Sequence, residues 1–136
     1  MRITKKRDLI LDDFGITQNT YRELYYFCRQ YQEKKQKLNS MIGLSAVSYG
    51  GMPHGSDISD PTVRQAIIRE SCLCDVEQIE SALLEATDCR AHYTALLKNV
   101  TQGIRFDNLT VFCGRNQFFR MRRKFFFILA RKRGRV

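Results

Sequence analysis

The chain has 136 residues, 43% of them apolar, and carries 23 Lys or Arg against 14 Asp or Glu for a net charge of +9. That length suits one domain, or one small domain with an extension, and no stretch approaches the ~18 apolar residues of a membrane span. The five cysteines are odd in number and unlike a disulfide scaffold in spacing, so they read as reduced thiols of a cytoplasmic protein.

The N-terminus, Met1 to Arg7, is basic, but Asp8, Asp12 and Asp13 cut the apolar stretch after it, which excludes a secretory signal. A short helix is expected over about Lys5 to Asp13, ending near Gly15. Thr17 is placed to cap the next helix, with Thr20 as a later start. Tyr21, Leu24, Tyr25, Phe27, Cys28 and Tyr31 recur at helical spacing, and no breaker interrupts Gln30 to Lys37, so one helix is expected from about Gln18 to Met41. Aromatics so spaced read as core before they read as a stacking platform for single strands. Lys34, Lys35 and Lys37 read as a solvated face.

Gly43 to Asp60 holds Gly43, Gly50, Gly51, Pro53 and Gly55 among serines, and is expected to be a long loop. Its His54, Ser56, Asp57 and Asp60 lack the base and orienting group that a nucleophile needs. They read as a linker, with a phosphate-contacting or partner-binding loop as the alternative, since glycines expose backbone N–H groups. Asp60-Pro61 has the form of an N-cap followed by proline at the first helical position. The helix from there carries Val63, Ala66, Ile67, Cys74, Ile79, Ala82, Leu83 and Ala86 and runs to about Glu85, with Ser71 to Asp75 as the place for a kink. Its stripe suits packing or a dimer interface. Cys72 and Cys74 with Cys89 and His92 do not form the matched pairs of a zinc signature, so no metal and no other cofactor is expected.

Thr87-Asp88 reads as a turn and cap. A helix bearing Tyr93, Leu96, Leu97 and Val100 then stops at Gly103. Phe106 to Leu109 forms a short turn, Val111 to Cys113 a connection, and Gly114 precedes a last helix over about Arg115 to Arg131. No alternating strand pattern appears. The expected fold is all-α, with an N-terminal helical region (1–43), a Gly/Ser-rich loop (44–60), a connecting helix (61–87) and a C-terminal helix-turn-helix (88–136).

Charge concentrates at the ends. Residues 1–40 sum to +4 and 41–113 to −4, while Gly114 to Val136 hold nine basic side chains and no acid. Apolar residues thread that last segment, unlike a disordered arm. Phe118, Met121, Phe125, Phe126 and Leu129 share a helix face suited to packing on Leu96, Leu97, Val100 and Leu109. The other face suits a polyanion. In a helix-turn-helix the start of the second helix meets base edges, which assigns that role to Arg115, Asn116, Gln117 and Arg120. Arg122, Arg123 and Lys124 are then phosphate contacts, and Arg131 to Arg135, with Arg131, Lys132 and Arg133 among the DNA contacts, are expected to follow the backbone as a flexible tail. Membrane surfaces, acidic proteins and RNA are the other partners of such helices.

Three stretches resemble small phage and prophage proteins of Gram-positive bacteria, the transcriptional regulators of the RinA and ArpU type. They are Tyr21-Arg22-Glu23-Leu24-Tyr25-Tyr26-Phe27-Cys28, the loop Gly51 to Pro61, and Leu97 to Gly103 with Phe106 to Leu109, Cys113 to Phe119 and Arg122 to Phe126. The resemblance implies a C-terminal helix-turn-helix similar to region four of sigma factors. It also implies regulation of phage late genes at a promoter, with double-stranded DNA and RNA polymerase as partners. No pattern in the sequence itself indicates polymerase contact. The reader departs from the sigma pattern, opening Gly114-Arg115-Asn116-Gln117 after a very short second helix. The reading is therefore a sequence-specific DNA-binding regulator, not an enzyme, in a bacterial host cytoplasm, with a homodimer left open. The alternatives are a small terminase-like packaging protein and an RNA-binding antitermination factor.

Overall fold

The computed structural model describes residues 15–48 and 61–136, with side chains for 15–40 and 61–136. The expected helix at Lys5 to Asp13, the loop residues His54, Ser56 and Asp57, and the Asp60 cap lie outside the described residues.

The described residues are all-α, without a strand. Helix α1 spans Gln18–Arg29. Thr17 caps it by accepting the backbone N–H of Thr20 on its hydroxyl at 3.2 Å. Leu24, Phe27 and Cys28, at i, i+3 and i+4, form its buried face. The single helix expected over Gln18 to Met41 is in fact two, because Gln30 donates its N–H to the Phe27 carbonyl at 3.2 Å and tightens the last turn. No glycine or proline marks that break. Helix α2 then spans Tyr31–Ser48 and passes through Gly43 and Ser45, where a loop was expected. One glycine costs a helix interior only about 1 kcal/mol, too little to end it.

Helix α3 spans Pro61–Ala86 with proline at its first position, and it stays helical through Ser71 to Asp75. Cys72, Val76, Ile79, Ala82, Leu83 and Ala86 are buried, but Val63, Ile67 and Ile68 at its start are exposed, so the expected stripe holds only over the later turns. Helix α4 spans Arg90–Gln102. The capping position belongs to Cys89, which makes no side-chain cap bond, whereas Asp88 is taken by His92 Nδ1 at 2.6 Å. Gly103 ends α4 at φ +73°, donating its N–H to the Asn99 carbonyl at 3.1 Å, a left-handed close that glycine adopts without a Cβ penalty. A 3₁₀ turn at Phe106–Asn108 follows, then α5 at Arg115–Lys132.

The chain divides into two compact units, residues 31–77 and a second made of the N-terminal segment up to Gln30 together with 78–136. This departs from a division in linear order. The cause is the apolar face of α1, which makes the N-terminal helix a partner of α4 and α5, themselves in contact. Leu24, Cys28, Leu96, Val100, Phe118, Phe125, Phe126 and Leu129 are its fully buried centre. Each such aliphatic or aromatic side chain contributes about 1.5–3 kcal/mol by leaving water. In the unit formed by residues 31–77, Lys34 and Asp75 pair at 2.7 Å with both side chains mostly buried; Lys34 is thus not part of a solvated face. Among the described residues no helix is long and apolar enough to cross a membrane.

Candidate nucleic-acid interface

Helix α5 has two unlike faces. Phe118, Met121, Phe125, Phe126, Ile128, Leu129 and Ala130 are buried. Asn116, Gln117, Arg120 and Lys124 are exposed, and Gln117, Arg120 and Lys124 fall at i, i+3 and i+7, one surface stripe. The helix holds no acidic residue.

The start of α5 is fixed by aromatic packing. Phe106 of the 3₁₀ turn lies with its ring centre 5.2 Å from that of Phe118 and 6.3 Å from that of Phe119. Gly114 occupies the N-cap with extended backbone and no side-chain cap bond. Glycine has no side chain to cap the first N–H groups of the helix, and uncapped N–H groups beside a basic residue favour an anion. Arg115 lies 5.6 Å above the Phe106 ring and 5.4 Å above the Phe119 ring, and its Nη1 is 3.2 Å from Asp107 Oδ1.

A cleft of about 310 Å³ between the end of α3 and α5 is lined by Glu85, Thr87, Asp88, Gln117, Arg120 and Lys124. Its two carboxylates are already engaged. Lys132 Nζ reaches Glu85 at 2.7 Å, and that hydrogen bond holds the Glu85 carboxyl below its ordinary range. Asp88 is lowered chiefly by its hydrogen bond from His92.

The structure sorts the basic residues singled out from the sequence. Arg115, Asn116, Gln117, Arg120 and Lys124 stay together on the outer surface, and Arg123 is half-buried beside them. Arg122 turns inward. Its Nε donates to Asn99 Oδ1 at 2.8 Å and its Nη2 to the Tyr21 hydroxyl at 3.0 Å, with the Phe126 ring 4.9 Å below. An expected phosphate contact is thereby a tie between three helices.

The C-terminal residues are not a flexible tail. Gly134 takes φ +71°, its N–H bonds to the Arg131 carbonyl at 3.1 Å and that of Arg135 to the Ala130 carbonyl at 2.8 Å, which together make a Schellman close. Arg133 donates to Gln78 Oε1 at 2.8 Å and sits 3.7 Å over the Phe27 ring. Arg135 grips Glu23 with two bonds of 3.0 and 2.9 Å. Arg131 remains exposed, over the Phe127 ring. No protein-family model, curated protein or solved structure matches the chain. The interface therefore rests on its own geometry.

Sequence reasoning passed over Tyr21, Asn99 and Asp107 as partners of the basic helix. Arg122 did carry a signal: it stands four residues after Phe118 and four before Phe126, on the apolar face itself.

Proposed function

We propose that the protein binds double-stranded DNA through the exposed face of α5 and regulates transcription of phage genes. The observation that supports this most directly is the acid-free helix whose aromatic side is buried while Asn116, Gln117, Arg120 and Lys124 stand outward from its first turns. In the proposed complex that end lies in the major groove. Arg115, Asn116, Gln117 and Arg120 read base edges, and Arg123, Lys124 and Arg131 meet phosphates. Arg122, Arg133 and Arg135 act within the fold, so the DNA-facing set is smaller than the basic count of the segment. The step from DNA binding to transcription control, in a bacterial host cytoplasm, rests on the resemblance to RinA- and ArpU-type regulators.

The test is binding of the purified full chain to fragments of a phage genome at several salt concentrations, with light scattering for mass. Tight binding of a monomer or dimer to one upstream fragment supports the regulator. Equal, salt-sensitive binding to every fragment, or a large ring, replaces it with a packaging protein, and preference for hairpin RNA replaces it with an antitermination factor.

A further inference from the structure

The turn between α3 and α4 gathers three different metal-binding side chains. Asp88, Cys89 and His92 bring a carboxylate oxygen, a thiol sulfur and an imidazole nitrogen to within 4.8 Å of one another. The spacing explains the convergence. Cys89 occupies the N-cap of α4, and His92 follows at i+3 from Cys89 and i+4 from Asp88, so all three share one side of the first turn. His92 is almost wholly buried, with 9% of its side chain exposed, and its Nδ1 nevertheless points at the cluster, 2.6 Å from Asp88 Oδ1.

The geometry points to a zinc-binding site formed by Asp88, Cys89 and His92, with solvent in the fourth tetrahedral position. Zinc bonds of ~2.0–2.3 Å place tetrahedral ligand atoms roughly 3.3–3.8 Å apart. A cluster within 4.8 Å therefore needs about 1 Å of contraction to close on an ion of that size. The Asp88–His92 pair is closer than a tetrahedral edge and must open, and the Asp88 side chain, 70% exposed, is free to swing out. A donor set of sulfur, nitrogen and carboxylate oxygen selects zinc over magnesium or calcium, which prefer oxygen alone. Binding displaces the Cys89 thiol proton. The ion ties the turn after α3 to the first turn of α4. Cys72 and Cys74, the other half of the zinc grouping considered from the sequence, take no part. This inference does not depend on the DNA-binding reading.

The experiment uses the full chain, reduced and stripped with a chelator. Zinc is titrated against a chromophoric indicator, and cobalt(II) is followed by absorption. The expected result is one zinc per chain, bound with sub-micromolar affinity, and cobalt spectra with tetrahedral ligand-field bands and thiolate charge-transfer intensity. Cys89→Ser and His92→Gln each weaken zinc binding by more than about a hundredfold, beyond the roughly 10–100-fold that loss of an outer-shell partner costs. Cys89→Ser also abolishes the charge-transfer intensity, as expected when a single thiolate binds. Cys74→Ser changes nothing. Circular dichroism of each stripped variant separates lost ligation from lost folding. Absence of tetrahedral cobalt bands, or full zinc affinity in folded Cys89→Ser, overturns the site.

Discussion

Tyr21 and Arg122 are 101 residues apart in the chain, yet the Arg122 Nη2 donates to the Tyr21 hydroxyl at 3.0 Å. With the second bond from Nε to Asn99 Oδ1 at 2.8 Å, one guanidinium joins α1, α4 and α5. Hydrogen bonds from a charged group contribute about 1.5–3 kcal/mol, so Arg122→Ala is expected to lower unfolding free energy by about 2 kcal/mol in a denaturant titration. Arg122→Lys does not restore it, because an ammonium cannot reproduce the planar fork or its stacking on Phe126. Tyr21→Phe costs about 1 kcal/mol, and the double variant costs less than the sum of the two. Strict additivity removes the tie.

The second prediction concerns Gly103, whose φ is +73°. A Cβ added there meets Arg29 Nη1 at 2.7 Å, but that is the end of a flexible side chain and moves at little cost. Backbone strain dominates, so Gly103→Ala destabilises by about 1–2 kcal/mol and Gly103→Asn by less. Equal melting temperatures for both variants and the parent would show that α4 does not depend on the left-handed close.

Periodicity made the two faces of α5 and its limits readable, since Phe118, Met121, Phe125 and Leu129 repeat at helical spacing between Gly114 and the terminal basic residues. Gly103 and Thr17 were legible for the same local reason: each does its work within four residues. What the sequence concealed depends on distant partners. Gln30 closes a helix without a breaker residue, and Gly43 fails to break one, since a single residue's propensity of about 1 kcal/mol does not decide where an element ends. Arg133 and Arg135 look like a solvated tail until Phe27, Gln78 and Glu23 are brought beside them. A count of basic residues cannot separate Lys124, which faces water, from Arg122, which does not.

The third prediction is a loosening of the C-terminus in acid. Arg135 lowers the Glu23 carboxyl below its ordinary value of 4.5 through its hydrogen bond, with further help from the charges of Arg135 and Arg133. Lys132 does the same to Glu85, with Ser81 and Arg131 assisting. A carboxyl lowered in the folded state contributes stability above its ordinary value and loses it as pH falls through the lowered one. Amide exchange at Arg133 to Val136 is therefore expected to accelerate as pH falls below 4.5 and through the lowered values, over and above the intrinsic pH dependence of exchange, while the buried centre of α5 stays protected. Both pairs are solvent-exposed, so salt weakens the effect. Unchanged protection through that range would mean that the helix close holds the terminus without the ion pairs.

The last prediction concerns the Arg115–Asp107 pair at the head of the proposed reading helix. Their closest atoms are 3.2 Å apart and both side chains are more than half exposed, so the pair itself contributes only about 0–1 kcal/mol to stability. Its effect on DNA is larger in principle, because Asp107 places a negative charge where a phosphodiester would approach and draws Arg115 towards the 3₁₀ turn. Asp107→Asn removes the charge and releases the guanidinium while preserving shape, and is expected to tighten DNA binding several-fold at low salt with little change in melting temperature. Arg115→Ala moves the other way and relaxes discrimination at a guanine by about 1–3 kcal/mol. Lys124→Ala weakens all sequences alike and reduces the salt slope by about one. If Asp107→Asn and Arg115→Ala both leave DNA affinity and preference unchanged, the start of α5 is not what enters the groove, and the contact must be sought along Arg120, Arg123, Lys124 and Arg131 instead.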